Sequence, residues 1–69
     1  MRNDIYLKEM GAKIKKARKA NKITLEKMSE LCGIDMSNIW FLEKGKRNAH
    51  ILTLKSIAEV LKMDVKDFI

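Results

Sequence analysis

Leu7, Met10, Ile14 and Ala17 follow one another at steps of three, four and three residues, which is the apolar stripe of an amphipathic helix. The spacing predicts a first helix from about Asp4 to Asn21, with Asn3 or Asp4 as its N-cap. Gly11 falls inside the pattern at a cost of about 1 kcal/mol against alanine, so close packing is expected there. Thr24 ahead of Leu25-Glu26 supplies a capping hydroxyl and an acid for the first turn of a second helix. Met28, Leu31 and Cys32 form its inward stripe, and Gly33 ends it. Asp35 caps a third helix, Met36 to Lys44, with Ile39 and Leu42 inward, and Gly45 ends it. After the basic loop Lys46-Arg47-Asn48, His50 caps a fourth helix running from Ile51 to Lys62. Leu54, Ile57, Ala58 and Leu61 form its buried face. Asp64 caps a last turn or two ending in Phe68 and Ile69. With no proline and no strand-like alternation, the reading is all-α, a compact five-helix domain spanning residues 1–69.

The segment from about residue 24 to 44 carries the most information. Two helices crossing steeply over a three- or four-residue turn need apolar residues in the angle, a small residue where they approach, and a glycine in the turn. Met28, Cys32, Ile34, Ile39 and Leu42 are apolar, Ser29 is small, and Gly33 supplies the turn. This is the pattern of a helix-turn-helix.

Composition narrows the partners. Lys and Arg total 15 against 9 acids, a net charge of +6, and six bases without an acid lie between Lys13 and Lys22. A basic domain of this size suits an acidic polymer, nucleic acid before a membrane surface. One cysteine excludes an internal disulfide, and a lone Cys with a lone His excludes a zinc finger. Apolar runs are short and no secretory signal is visible, so a reducing cytoplasm is the expected location. No nucleophile–base set, metal-ligand spacing or phosphate-cradling loop appears, so neither an enzyme nor a cofactor is expected. No small-molecule ligand is indicated either. Cys32 and the methionines read as core filler.

Met10-Gly11, Ile14, Arg18, Thr24, Met28-Ser29, Gly33-Ile34, Ile39 and the run Leu42-Glu43-Lys44-Gly45-Lys46-Arg47 resemble the Cro/cI-type, or XRE, helix-turn-helix family. The likeness continues through Ile57-Ala58, Leu61 and Phe68. It implies a lambda-repressor-like fold and a sequence-specific double-stranded DNA-binding transcriptional regulator. It also implies a homodimer on a palindromic operator, with helix 36–44 in the major groove. The stretch Glu43 to Asn48 is similar to controller proteins of restriction–modification systems, and it also recurs in phage and plasmid regulators. Leu25 departs from the family's usual Gln, Ala49 from its usual Pro, and the recognition helix is unusually apolar.

Carried onto this chain, the resemblance implies a structural pair between Arg18 and Glu43. It implies DNA-backbone contacts from Thr24, Lys44, Lys46, Arg47 and Asn48. With Ile39 and Leu42 inward, Met36, Ser37 and Phe41 face the groove with Asn38 at the margin, and these four are the candidate base contacts. Bidentate base reading normally uses Arg, Lys, Gln or Asn, so contact with thymine methyls is expected to take a larger share here. Trp40 is open to three readings: packing, DNA contact, or anchoring a protein. An adaptor using the Met36/Trp40/Phe41 face is the alternative function.

Overall fold

The computed structural model describes the backbone of residues 2–68 and the side chains of residues 4–68. Ile69 and the Asn3 side chain lie outside these. Four α-helices and one short turn follow in order: α1 (Arg2–Ala20), α2 (Leu25–Cys32), α3 (Met36–Glu43), α4 (Ile51–Leu61) and the 3-10 turn Val65–Asp67. Among the described residues there is no strand. The core gathers Met10, Ile14, Met28, Ile39, Leu42, Leu54, Ile57, Ala58, Leu61 and Phe68 from every element around one centre. Their spacing within each helix is the three-and-four pattern that turns one face inward.

Helix ends follow local chemistry. The Thr24 hydroxyl accepts from the Lys27 amide at 3.0 Å, and His50 Nδ1 accepts from the Leu52 amide at 3.3 Å. Asp64 accepts from the Lys66 amide while Asp67 accepts from the Asp64 amide, a reciprocal cap. All four helices end with a left-handed residue just past the last turn: Lys22, Gly33, Gly45 and Lys62. At α3 the paired bonds Gly45 N–H to Leu42 O and Lys46 N–H to Phe41 O close this ending. Ser29 laces the turn between α2 and α3. Its hydroxyl donates to the Ile34 carbonyl at 2.5 Å, while its own carbonyl accepts from Gly33 and Ile34.

Several expectations are corrected. Helix α1 starts at Arg2, so Asn3 and Asp4 are helical residues rather than caps; no breaker in that stretch stops the helix from running back past them. The fifth helix is a single 3-10 turn, because the reciprocal Asp64–Asp67 cap and two i→i+3 bonds already swing Phe68 into the core. Helix α3 ends at Glu43, and Asp35 precedes it without a side-chain capping bond. Leu31 is exposed, since Met28 and Cys32 occupy the inward face of the two-turn α2.

The position of α3 is set by α1. Gly11 lies directly beneath the end of α3, where an added Cβ would collide with the Leu42 carbonyl oxygen and stand 2.7 Å from that of Glu43. Seven residues and two turns further on, the Arg18 guanidinium grips the Glu43 carboxylate. Nε donates at 2.6 Å and Nη2 at 3.0 Å, while Nη1 donates to the Ile23 carbonyl at 2.7 Å. Both residues are buried, and the fork-to-carboxylate geometry uses the full width of each group.

Two measurements test this anchorage. Glu43→Gln leaves the buried guanidinium without its countercharge and should cost about 3 kcal/mol. For a domain this small, that is a fall of at least about 12 °C in thermal midpoint by circular dichroism. A midpoint equal to that of the parent chain would show that the pair has no anchoring role. Gly11→Ala gains about 1 kcal/mol of helix propensity yet must push α1 off the α3 carbonyls. A net loss of about 1–3 kcal/mol in urea unfolding is expected, and a stabilised variant would contradict the close approach.

Candidate nucleic-acid interface

Once Ile39 and Leu42 are buried, the remaining faces of the two-turn α3 are fixed. Met36 is 48% exposed and Trp40 40% exposed, Ser37 is exposed, and Asn38 and Phe41 are half-buried. Met36, Ser37, Trp40 and Phe41 line one groove together with Leu25 from the start of α2; its volume is about 240 Å³ and its lining is almost wholly apolar. The Trp40 and Phe41 rings meet edge to face, with centroids 5.2 Å apart.

Cations stand over this aromatic pair. Lys44 Nζ lies 5.5 Å from the Trp40 ring centroid, and the Arg47 guanidinium carbon lies 4.6 Å from that of Phe41. Arg47 also donates from Nη1 to Asn38 Oδ1. The basic loop is thereby tied back to the outer side of α3. Lys46 and Asn48 are exposed beside it, and Asn48 Oδ1 accepts from the Ala49 amide at 2.9 Å. Gly45 lets this loop leave α3 beneath α1: a Cβ there would stand 2.8 Å from the Lys8 Cα. Thr24, at the exposed start of α2, has its hydroxyl committed to the helix cap.

Each candidate residue thus has a place. Met36, Ser37 and Phe41 share one groove, whereas Asn38 turns toward Arg47 and lines a second groove of about 220 Å³ between α3, the loop and α4. Lys44 and Arg47 reach toward the aromatic pair, Lys46 is exposed in the loop, and Asn48, exposed beside it, is held by the Ala49 amide. Leu25 and Trp40 belong to the groove as much as Met36 does; the sequence assigned Leu25 no base-side role and left Trp40 open among packing, DNA contact and a protein partner. The Trp40–Lys44 approach has a sequence signal, the i, i+4 spacing of one helix face. Contact of Leu25 with α3 has none, because no periodicity runs across a turn.

The rest of the surface offers little other chemistry. Among the described residues no three His, Cys, Asp or Glu side chains converge as metal ligands, and no helix is long and apolar enough to cross a membrane. Burial pushes the Cys32 thiol up from its ordinary value, which disfavours the nucleophilic thiolate. Its sulfur lies 4.0 Å from the Ser56 carbonyl, between α2 and α4.

Comparison with solved structures finds the same fold. The restriction-modification controller protein C.AhdI from Aeromonas hydrophila superposes with a TM-score of 0.87 at 24% identity, over 91% of this chain and 96% of that one. The clp gene regulator ClgR from Corynebacterium glutamicum gives 0.86 at 22% identity, over 91% of this chain and 67% of its own. An HTH_3 family transcriptional regulator from Vibrio cholerae gives 0.87 at 23% identity; 96% of this chain is covered but 37% of that larger protein. A search of curated protein sequences found no match. The profile of the helix-turn-helix domain matches residues 11–69, from the glycine beneath α3 onward. The chain therefore belongs to the helix-turn-helix domain family.

Proposed function

We propose that this protein is a sequence-specific double-stranded DNA-binding transcriptional regulator that acts as a homodimer, with α3 in the major groove. The observation that carries the reading is the outward side of α3: a two-turn helix, anchored from behind by the Arg18–Glu43 pair, with Lys44 and Arg47 at its rim. The net charge of +6 supports a polyanionic partner. The solved relatives described as a controller protein and as regulators agree with it.

In this mechanism Lys44, Lys46 and Arg47 neutralise phosphates, with Asn48 and the start of α2 at Thr24 beside the backbone. These contacts fix the register of α3 without reading sequence. Met36, Ser37 and Phe41 meet base edges. Asn38 reaches them only on releasing Arg47, which then becomes free for phosphate. The exposed apolar groove on α3 favours the adaptor reading as the second possibility, since such patches also anchor proteins.

Selection from a random duplex pool, followed by binding at two or more salt concentrations, separates the two. A regulator yields a pseudo-palindromic motif, and Lys46→Ala flattens the log–log salt slope by about 1 per protomer at nearly unchanged sequence preference. An adaptor yields no motif and only weak binding that salt erases.

Dimerisation follows from the same reading, because one short helix in one groove gives limited affinity and a symmetric dimer doubles the contact at two half-sites about 34 Å apart. Met63 and Val65 are half-buried against the core and line a groove with Lys55, Ala58, Glu59 and Asp64, which is the proposed contact. Light scattering of the complex should give the mass of one duplex plus two chains. A monomer at high concentration, both free and bound, would contradict the dimer.

A further inference from the structure

The groove at the start of α3 is out of keeping with the surface around it. Leu25, Met36, Trp40 and Phe41 give it apolar walls from two helices, and Ser37 is its one polar side chain. Yet the cations of Lys44 and Arg47 stand over two of those walls. A cleft with apolar walls and a cationic rim suits an apolar group carried between anions. Duplex DNA offers one such group in the major groove: the pyrimidine C5-methyl, flanked by phosphates on both strands.

We infer that this groove is a binding site for the C5-methyl group of thymine, gripped between Met36 and the Trp40–Phe41 pair and closed on its α2 side by Leu25. The inference rests on the DNA-binding reading and deepens it: the protein reads part of its site by apolar fit. The state of the neighbouring polar groups supports this. Asn38 lies outside this groove and lines the neighbouring one, and the Ser37 hydroxyl is a single donor and acceptor. Within the groove the Ser37 hydroxyl and the Trp40 indole N–H are the side-chain groups able to hydrogen-bond a base edge, and methyl contact supplies the rest of the discrimination. The same pocket accepts the methyl of 5-methylcytosine, which occupies the equivalent place on the pyrimidine ring; thymine is the occupant proposed.

The test uses the full chain and a duplex selected from a random pool. Thymines of each half-site are replaced one at a time by uracil, which removes only the methyl. At the position under the groove, the substitution should weaken binding about fourfold, the loss of one buried methyl. Met36→Ala should bind the thymine and uracil duplexes alike while keeping its helical circular dichroism, since Met36 is half-exposed and lies outside the core. Trp40 is the sole tryptophan, so its fluorescence should shift more on the thymine duplex than on the uracil duplex. In a second arm, cytosine and 5-methylcytosine are compared at the same position, and the methylated base should bind about fourfold tighter. Indifference to uracil at every thymine, with an unchanged tryptophan signal, overturns the methyl site and leaves DNA binding standing. A pool that yields no motif overturns the DNA-binding reading itself, and the methyl site with it.

Discussion

The grip of Arg18 on Glu43 is the constraint on which the rest of this small domain depends. Helix α3 has two turns, too few to hold its own orientation. Apolar contact through Ile39 and Leu42 keeps it against the core but tolerates sliding and rolling, because such contact is non-directional. Three directed hydrogen bonds from one planar guanidinium, two to Glu43 and one to Ile23, remove that freedom. A buried ion pair is a poor source of net stability, since desolvation consumes most of the Coulombic gain. Its effect here is geometric: it ties the end of α3 to α1 and to the chain just beyond α1.

Gly11 completes the arrangement. It sits two turns before Arg18 on the same side of α1, and its missing side chain lets the helix backbone lie against the final carbonyls of α3. With Ile14 buried between them, α1 presents a socket, a filler and a clasp in sequence. Lys8 against Gly45 extends the contact to the loop that leaves α3. The anchored helix and the basic loop are thus held by one surface of α1, which keeps the loop's cations in register with the outer side of α3.

Much of this could be read from the chain, and what could be read was local. Thr24, His50 and Asp64 cap helices through amides two or three residues away, and Gly33 and Gly45 end helices where their backbones turn left-handed. The inward stripes at Met10–Ile14, Ile39–Leu42 and Leu54–Leu61 follow from period alone. Lys22 and Lys62 adopt the same left-handed ending without the residue type that would announce it. Leu31 looked inward because a two-turn helix shows too few positions to separate its faces. The final segment looked like a helix because capping residues do not distinguish a 3-10 turn from a longer one. At the site, the outward positions of α3 were legible from the inward ones. Leu25 against α3 and Arg47 on Asn38 were not, for both contacts cross a turn or a loop where no periodicity carries over.

What remains is an oddity of α3 itself. Ile39 and Leu42 point inward, yet Met36, Trp40 and Phe41 lie on the other sides, so the helix is apolar nearly all round. Ordinarily such a helix is buried on every side, but among the described residues this one is covered only from behind. Solvent exposure of the Trp40 and Phe41 rings is eased by the cations of Lys44 and Arg47 above them. Those cations are held by ring faces and by the Asn38 oxygen rather than by carboxylates. A phosphate can therefore recruit them without breaking an ion pair, at the cost of a cation–π contact of about 0.5–1 kcal/mol each. Carboxylate partners would bind the cations more strongly and repel an anionic ligand. On the proposed DNA-binding reading the apolar face serves twice: it parks the cations near where a polyanion would arrive, and it is left bare for an apolar feature once they move to phosphate.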